Sequence, residues 1–259
     1  MSEQNFHADP NMPAAGASTL DAATMSTPET LTTIFFEPGR VFESLRARPR
    51  FLVAALITLV LTMLVTIILF QKVDFDQFMR DRISESPNGG QMTAEQMDRA
   101  VKFSKITAKV APPVFVAAVF AAGAGLYLLG VIALGGKMTY KQALSVWAYS
   151  SFAPGVLMTI ISLLLLFLRP ADAIDLTRPG GGLLVTNPGA FLGSGSSPIL
   201  IAALSSFDLF TFYGLFLAAI GLRKVGKLSN GSTWAIVIAF WALGLIFHVC
   251  RAALFGRAS

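Results

Sequence analysis

Apolar residues run in five long blocks along this chain, with polar and charged residues gathered between them. The blocks fall at about residues 51–70, 112–134, 143–168, 199–222 and 233–250. A helix needs about 20 mostly apolar residues to cross the roughly 30 Å hydrocarbon core of a bilayer, and each block meets or approaches that length. The period-two alternation of a membrane β-barrel is absent from them. Lipid offers no water to backbone N–H and C=O groups, so an isolated spanning segment is a helix. The pattern predicts an all-α integral membrane protein, a bundle of five transmembrane helices.

Between the blocks the pattern becomes amphipathic. In "TPETLTTIFF", Thr27 is placed as an N-cap and Pro28 at the first helical position, with Leu31, Ile34 and Phe35 on one face. After "FFEPGR", Val41, Phe42 and Leu45 share a side, Arg46 and Arg48 lie beyond, and Pro49 stops the helix. An apolar stripe edged with arginine beside a span suits a short interfacial helix; a packed turn leading into the span is the other reading. In the first loop, "DFDQFMRDRI" sets Phe75, Phe78, Met79 and Ile83 at helical spacing, and "TAEQMDRAVKFSKITAKV" opens with Thr93 and Gln96 spaced as a capping box. Separated by "SPNGG", the two pieces read either as a helical hairpin lying on the bilayer or as helices with a solvated polar face. Residues 1–27 lack periodicity and read as a disordered tail, leaving 28–256 as one five-span domain. The Gly- and Pro-rich "TRPGGGLLVTNPGAFLGSGSSP" is expected to lack long regular structure, with Leu183–Val185 and Ala190–Leu192 folding back onto the bundle.

Composition agrees with the pattern. Of 259 residues, 54% are hydrophobic and 14% charged, against about 25% charged in soluble domains. The net charge of +5 would suggest nucleic acid in a soluble protein; here basic loops facing anionic lipid account for it, and no nucleic-acid partner is expected. Cys250 is the single cysteine, so no internal disulfide forms, and with two histidines it cannot build a structural zinc site. The first thirty residues lack the apolar segment of a cleavable signal. "GSGSS" lacks the Gly-Lys-Ser/Thr ending of a phosphate loop, and no G-x-S-x-G elbow accompanies the serines near Asp208 and His248. No catalytic, cofactor-binding or metal-binding residues are expected, and the chain reads as a non-enzyme.

Charge also sets orientation. Arg40, Arg46, Arg48 and Arg50 precede the first span, and Lys137, Lys141, Arg223, Lys224 and Lys227 crowd the short loops after spans two and four. The loop after span three has Arg169 and Arg178 offset by Asp172 and Asp175. This favours a cytoplasmic N-terminus, opposed by the seven bases and six acids of residues 71–111. The expected location is the cytoplasmic (inner) membrane, multi-pass.

Inside the spans, small or weakly polar residues recur every four positions: Thr58, Thr62 and Thr66; Ala117, Ala121 and Gly125; Gly214 and Ala218. Such stripes let helix backbones approach and are expected to mark packing seams, within the chain or towards another. Pro154 is expected to kink span three. Asp208 is the one formal charge in block four. An acid at mid-membrane costs on the order of 2.5–3.5 kcal/mol, so it must be neutral or paired. In the helix expected over residues 199–222, Asp208 is nine residues from the outer end, roughly 13 Å deep, about a turn from the level of His248. The expectation is a polar clasp of Asp208 with His248, relayed to Arg251; hydrogen bonds to Ser205, Ser206 or Thr211 are the alternative.

"FFEPGRVFESLRARPRF", "GGKMTYKQALSVWAYSSFAPG" and "SSFDLFTFYGLFLAAIGLRKVGKLSNGSTWAIVIAFWALG", in that order, resemble bacterial members of the Yip (Ypt/Rab-interacting protein) family of multispan membrane proteins, over roughly residues 28–256. Asp208 and the Gly135–Gly136 turn match its pattern. The resemblance implies five spans and a cytoplasmic N-terminus, and brings no catalytic residues. Its eukaryotic branch is linked to Rab-type GTPases, which are not expected as partners in a bacterium. The sequence therefore reads as a non-enzymatic protein that organises lipids or binds membrane-protein partners or further copies of itself. The alternative is a small transporter or channel-like subunit using Asp208 as a protonatable group.

Overall fold

The computed structural model describes residues 25–84, 89–170, 174, 183–193 and 195–255. The tail expected over residues 1–27 thus lies almost wholly outside the described residues, as do most of "SPNGG" and the Asp172–Arg178 acids and bases. The described chain is helical: α1 (Thr27–Thr33), α2 (Pro38–Ala47), α3 (Leu52–Lys72), α4 (Phe75–Ser84), α5 (Ala94–Ala133), α6 (Tyr140–Leu168), α7 (Pro198–Ser205), α8 (Leu209–Gly226) and α9 (Asn230–Phe255). Five helices are long and apolar enough to cross a membrane: α3, the Val110–Ala133 part of α5, α6, α8 and α9.

Local chemistry sets the boundaries. α1 is capped by Ser26, one residue before the expected Thr27; Ser26 Oγ accepts from Glu29 N at 3.3 Å and Glu29 Oε2 accepts from Ser26 N at 3.2 Å. The Thr93–Gln96 box starts α5, and a second, Thr139–Gln142, starts α6. Between those helices Gly135 takes a left-handed φ of 77°, which a side chain disfavours. Gly136 N then reaches back to Val131 O at 2.8 Å and Gly135 N to Ile132 O at 3.0 Å, closing the last carbonyls of α5. A Cβ on Gly136 would stand 2.8 Å from Gly226 O, so this turn lies directly on the end of α8.

The centre of the bundle is α6 against α8. Gly214 lies 3.4 Å from Ser150 O and 3.7 Å from the Pro154 ring at its would-be Cβ, Ala218 is fully buried, and Gly221 meets Val146 and Phe42. The N-terminal helices dock here too. Ile34, Val41, Phe42 and Leu45 are fully buried, Thr30 Oγ1 and Tyr149 Oη are 2.8 Å apart, and Phe35 packs on Phe152 at 6.1 Å. The amphipathic face of α2 is thus spent on α6 and α8 rather than left for lipid. Glu43 pairs with Lys224, Arg46 Nη1 donates to Lys224 O at 3.4 Å, and Gln142 Nε2 donates to Arg46 O at 2.8 Å. The helical hairpin of the first loop also forms: α4 lies on the membrane-distal part of α5, tied by Arg80–Asp98 and Lys105–Asp76.

The stripes fall differently. In α3 only Ala54 is buried, and Thr58, Thr62 and Thr66 each bond the carbonyl four residues back, at 2.9, 2.8 and 2.8 Å. Ala117 and Ala121 are exposed and Gly125 has open space beside it. α5 packs instead through Gly123, where Trp147 lies, and Gly130, where Ile236 lies.

A Cβ at position 123 would sit 2.4 Å from the Trp147 ring, whereas one at 125 meets nothing within 4 Å. Gly123→Ala is therefore expected to destabilise the protein by about 1–3 kcal/mol, and Gly125→Ala to be neutral or to stabilise by up to about 1 kcal/mol, in thermal unfolding of the detergent-solubilised chain. Equal effects would contradict the packing of α5 on α6 described here.

Candidate functional site

Block four is not one helix. α7 starts with Pro198 at its first position and ends at Ser206, whose N–H bonds Ala203 O and Leu204 O. The chain extends through Asp208 (φ −99°, ψ 137°), and α8 starts at Leu209. A new helix start exposes N–H groups with no intrahelical acceptor, and Asp208 answers them. Its Oδ1 accepts from Thr211 N at 3.0 Å and Thr211 Oγ1 at 3.4 Å. Its Oδ2 accepts from Thr186 Oγ1, and Leu209 N donates to Thr186 O at 3.3 Å. A carboxylate there also suits the positive end of the helix dipole.

The end of α7 is closed from α9: Trp241 Nε1 donates to Ser206 O at 3.0 Å, with Phe207 edge-on to its ring at 5.1 Å and Phe212 at 5.8 Å. The third loop folds back as expected around 190, where Pro188–Phe191 forms a short 3-10 turn with Gly189 and Ala190 buried. Gly189 allows this, because a Cβ there would stand 2.3 Å from Ser205 Oγ and 2.9 Å from Ile201 O.

Asp208 takes Thr186 and Thr211 as its partners in place of the expected His248. No hydrogen bond or ion pair among the described residues joins Asp208 to His248 or Arg251; His248 is exposed and edge-on to Phe247 at 6.2 Å. A depth of about 13 Å holds only for an unbroken helix from Ile199. α8 alone, eighteen residues or about 27 Å long, matches the hydrocarbon core, so Asp208 stands at the end of the crossing helix. Of the alternative partners, Thr211 is used, while Ser206 Oγ bonds Ala202 O at 3.0 Å. Thr186 and Trp241 escaped the sequence reading; an Asp ahead of an apolar run is the cap signal that marks the break.

His248 and Arg251 instead line a groove of ≈ 790 Å³ between α7, α9, the first turns of α8 and side chains of α5 and α6, which Arg82 reaches from α4. Its deeper wall holds Tyr127, Trp147 and Phe240. Two buried polar atoms on its lining, Trp147 Nε1 and Ser205 Oγ, have no hydrogen-bond partner. Among the described residues no cluster of His, Cys, Asp or Glu could hold a metal ion.

The Yip1 domain family model matches residues 32–250, so the chain belongs to the Yip family. The membrane protein YknW of Bacillus subtilis (strain 168) is 23% identical over 217 residues, which cover 83% of this chain and 87% of YknW. No solved structure matches the chain.

Because the work of Asp208 is hydrogen-bond acceptance, Asp208→Asn should retain most of the stability and Asp208→Ala should lose about 1 kcal/mol, within 0.5–2. Combined with His248→Ala, either change should add independently in unfolding measurements. A coupling above about 0.5 kcal/mol would restore the clasp.

Proposed function

We propose that this Yip-family membrane protein is a non-enzymatic scaffold that holds a membrane-protein helix against the outer face of spans one and two. The observation that supports it is the Ala117, Ala121 and Gly125 stripe, where Ala117 and Ala121 are exposed and Gly125 has open space beside it. Ala117 and Ala121 border an open groove of ≈ 280 Å³ whose other wall is Leu52, Leu56 and Leu59 of α3. Lipid gives helices no hydrophobic reason to associate, so close backbone approach over small residues is the main source of such contact. A second chain finds here the backbone access that α5 withholds from its own bundle on this side.

The orientation we assign has the N-terminus in the cytoplasm and the protein in the inner membrane. It is supported by the joining of α2, the Gly135–Gly136 turn and the end of α8 on one face, which gathers Arg46, Arg48, Lys137, Lys141 and Lys227. The transporter reading requires Asp208 to take up and release a proton in transit, and both of its oxygens are engaged in closing a helix end.

A photo-crosslinking residue placed at Ala121 should yield discrete protein adducts in native membranes, whereas one at the lipid-facing Leu64 should yield lipid adducts only. Ala117→Leu with Gly125→Leu should abolish the protein adducts while the chain stays folded. Identical lipid-only adducts at both positions would overturn the scaffold reading.

A further inference from the structure

The groove between α7 and α9 has a charge pattern that the scaffold reading leaves unused. Along α9 its lining runs from Phe240 to Arg251 and Ala252, eleven residues or about 16 Å to the arginine. Twenty-one residues separate Asn230 from Arg251, about 31 Å of helix, so Arg251 stands at headgroup level when Asn230 stands at the other surface. Arg82 approaches from α4, which follows the end of α3 on that same face. Among the described residues no acid pairs with Arg82, Arg251 or His248, whereas Arg80, Arg99 and Lys105 of the first loop each pair with an acid. Ile201, Ala202, Leu245 and Phe240 give the groove an apolar strip, beside the hydroxyls of Ser205, Ser206 and Thr211. Gly244 lies on the lining with nothing within 4 Å of where its Cβ would be, so the groove stays open by the lack of a side chain.

We propose that this groove binds an anionic phospholipid, with its phosphate between Arg82 and Arg251 beside His248 and one acyl chain along Ile201, Leu245 and Phe240. Two guanidinium groups at headgroup level that no acid among the described residues pairs are matched by a phosphate, which accepts bidentate hydrogen bonds from arginine. A groove that runs about 16 Å along α9, by helical rise, with an apolar strip on its wall, has room for a fatty chain below the phosphate. The site is separate from the Ala117 stripe, so the two proposals stand or fall independently.

The test uses the full chain, purified in detergent and stripped of lipid, with binding measured by native mass spectrometry and thermal shift. Probes are dioleoyl-phosphatidylglycerol, dioleoyl-phosphatidylcholine and inorganic phosphate. Phosphatidylglycerol should bind about tenfold more tightly than phosphatidylcholine, and inorganic phosphate should have no effect. Arg82→Gln with Arg251→Gln should erase the preference, whereas Arg169→Gln, a charge loss on the same face outside the groove, should preserve it. Gly244→Phe, which fills open space, should weaken both lipids. Equal binding of the two lipids, a shift by phosphate alone, or a preference that survives the double arginine change would overturn the proposal. Binding abolished by Ser205→Ala but not by the arginine changes would overturn it too, by seating the ligand on the unpaired groups of the floor.

Discussion

The bilayer supplies no hydrogen-bond partners, so every helix end within it must be closed by the protein itself. In this chain the closing group repeatedly comes from another element. At the end of α6, Leu166 O and the carbonyl of the following Arg169 accept from Lys72 at the end of α3. The end of α8 is met by Arg46 of α2 at Lys224 O and by Lys137 N of the α5–α6 turn at Gly226 O. The end of α7 is met by Trp241 of α9, and the start of α8 by its own Asp208 together with Thr186 of the third loop. Cations lie at carboxyl ends and the acid at an amino end, the order that helix dipoles favour.

These caps also fix how the helices sit beside one another. Without a hydrophobic drive between lipid-bathed helices, contact depends on backbone access, and α6 and α8 obtain it where Gly214, Ala218 and Gly221 face Ser150, Pro154 and Val146. Phe42 fills the remaining notch beside Gly221, which makes the N-terminal segment a structural part of the bundle. With α2 holding one end of α8 and Thr186 and Asp208 the other, the break before α8 is a fixed feature, and the groove beside α7 exists because of it.

Much of this was legible in the sequence, for identifiable reasons. Five spans follow from block length, and the capping box at Thr93 and the hairpin of α4 on α5 follow from periodicity. The Gly214–Ala218 seam lies where its spacing placed it. The break at Asp208 was hidden because Pro198–Ser205 is as apolar as the helix after it, so hydropathy joins them. Thr186 lies twenty-two residues away from Asp208 in a loop without periodicity. The Ala117 stripe and the Gly123–Gly130 pair compete on one helix, and the choice depends on Trp147, a large ring filling a glycine notch, which a rule about small residues every fourth position does not register. An amphipathic stripe such as that of α2 reads the same whether lipid or α8 covers it.

The central claim, that α8 starts at a side-chain-closed break, is tested most directly by amide hydrogen exchange on the chain in lipid nanodiscs, comparing wild type with Asp208→Ala. Slow exchange at Leu209, Thr211 and Phe212 is expected in the wild type and faster exchange at Thr211 in the variant, with residues 217–226 unchanged. Equally slow exchange at 209–212 in both proteins would mean that the helix runs unbroken through Asp208 and would contradict it.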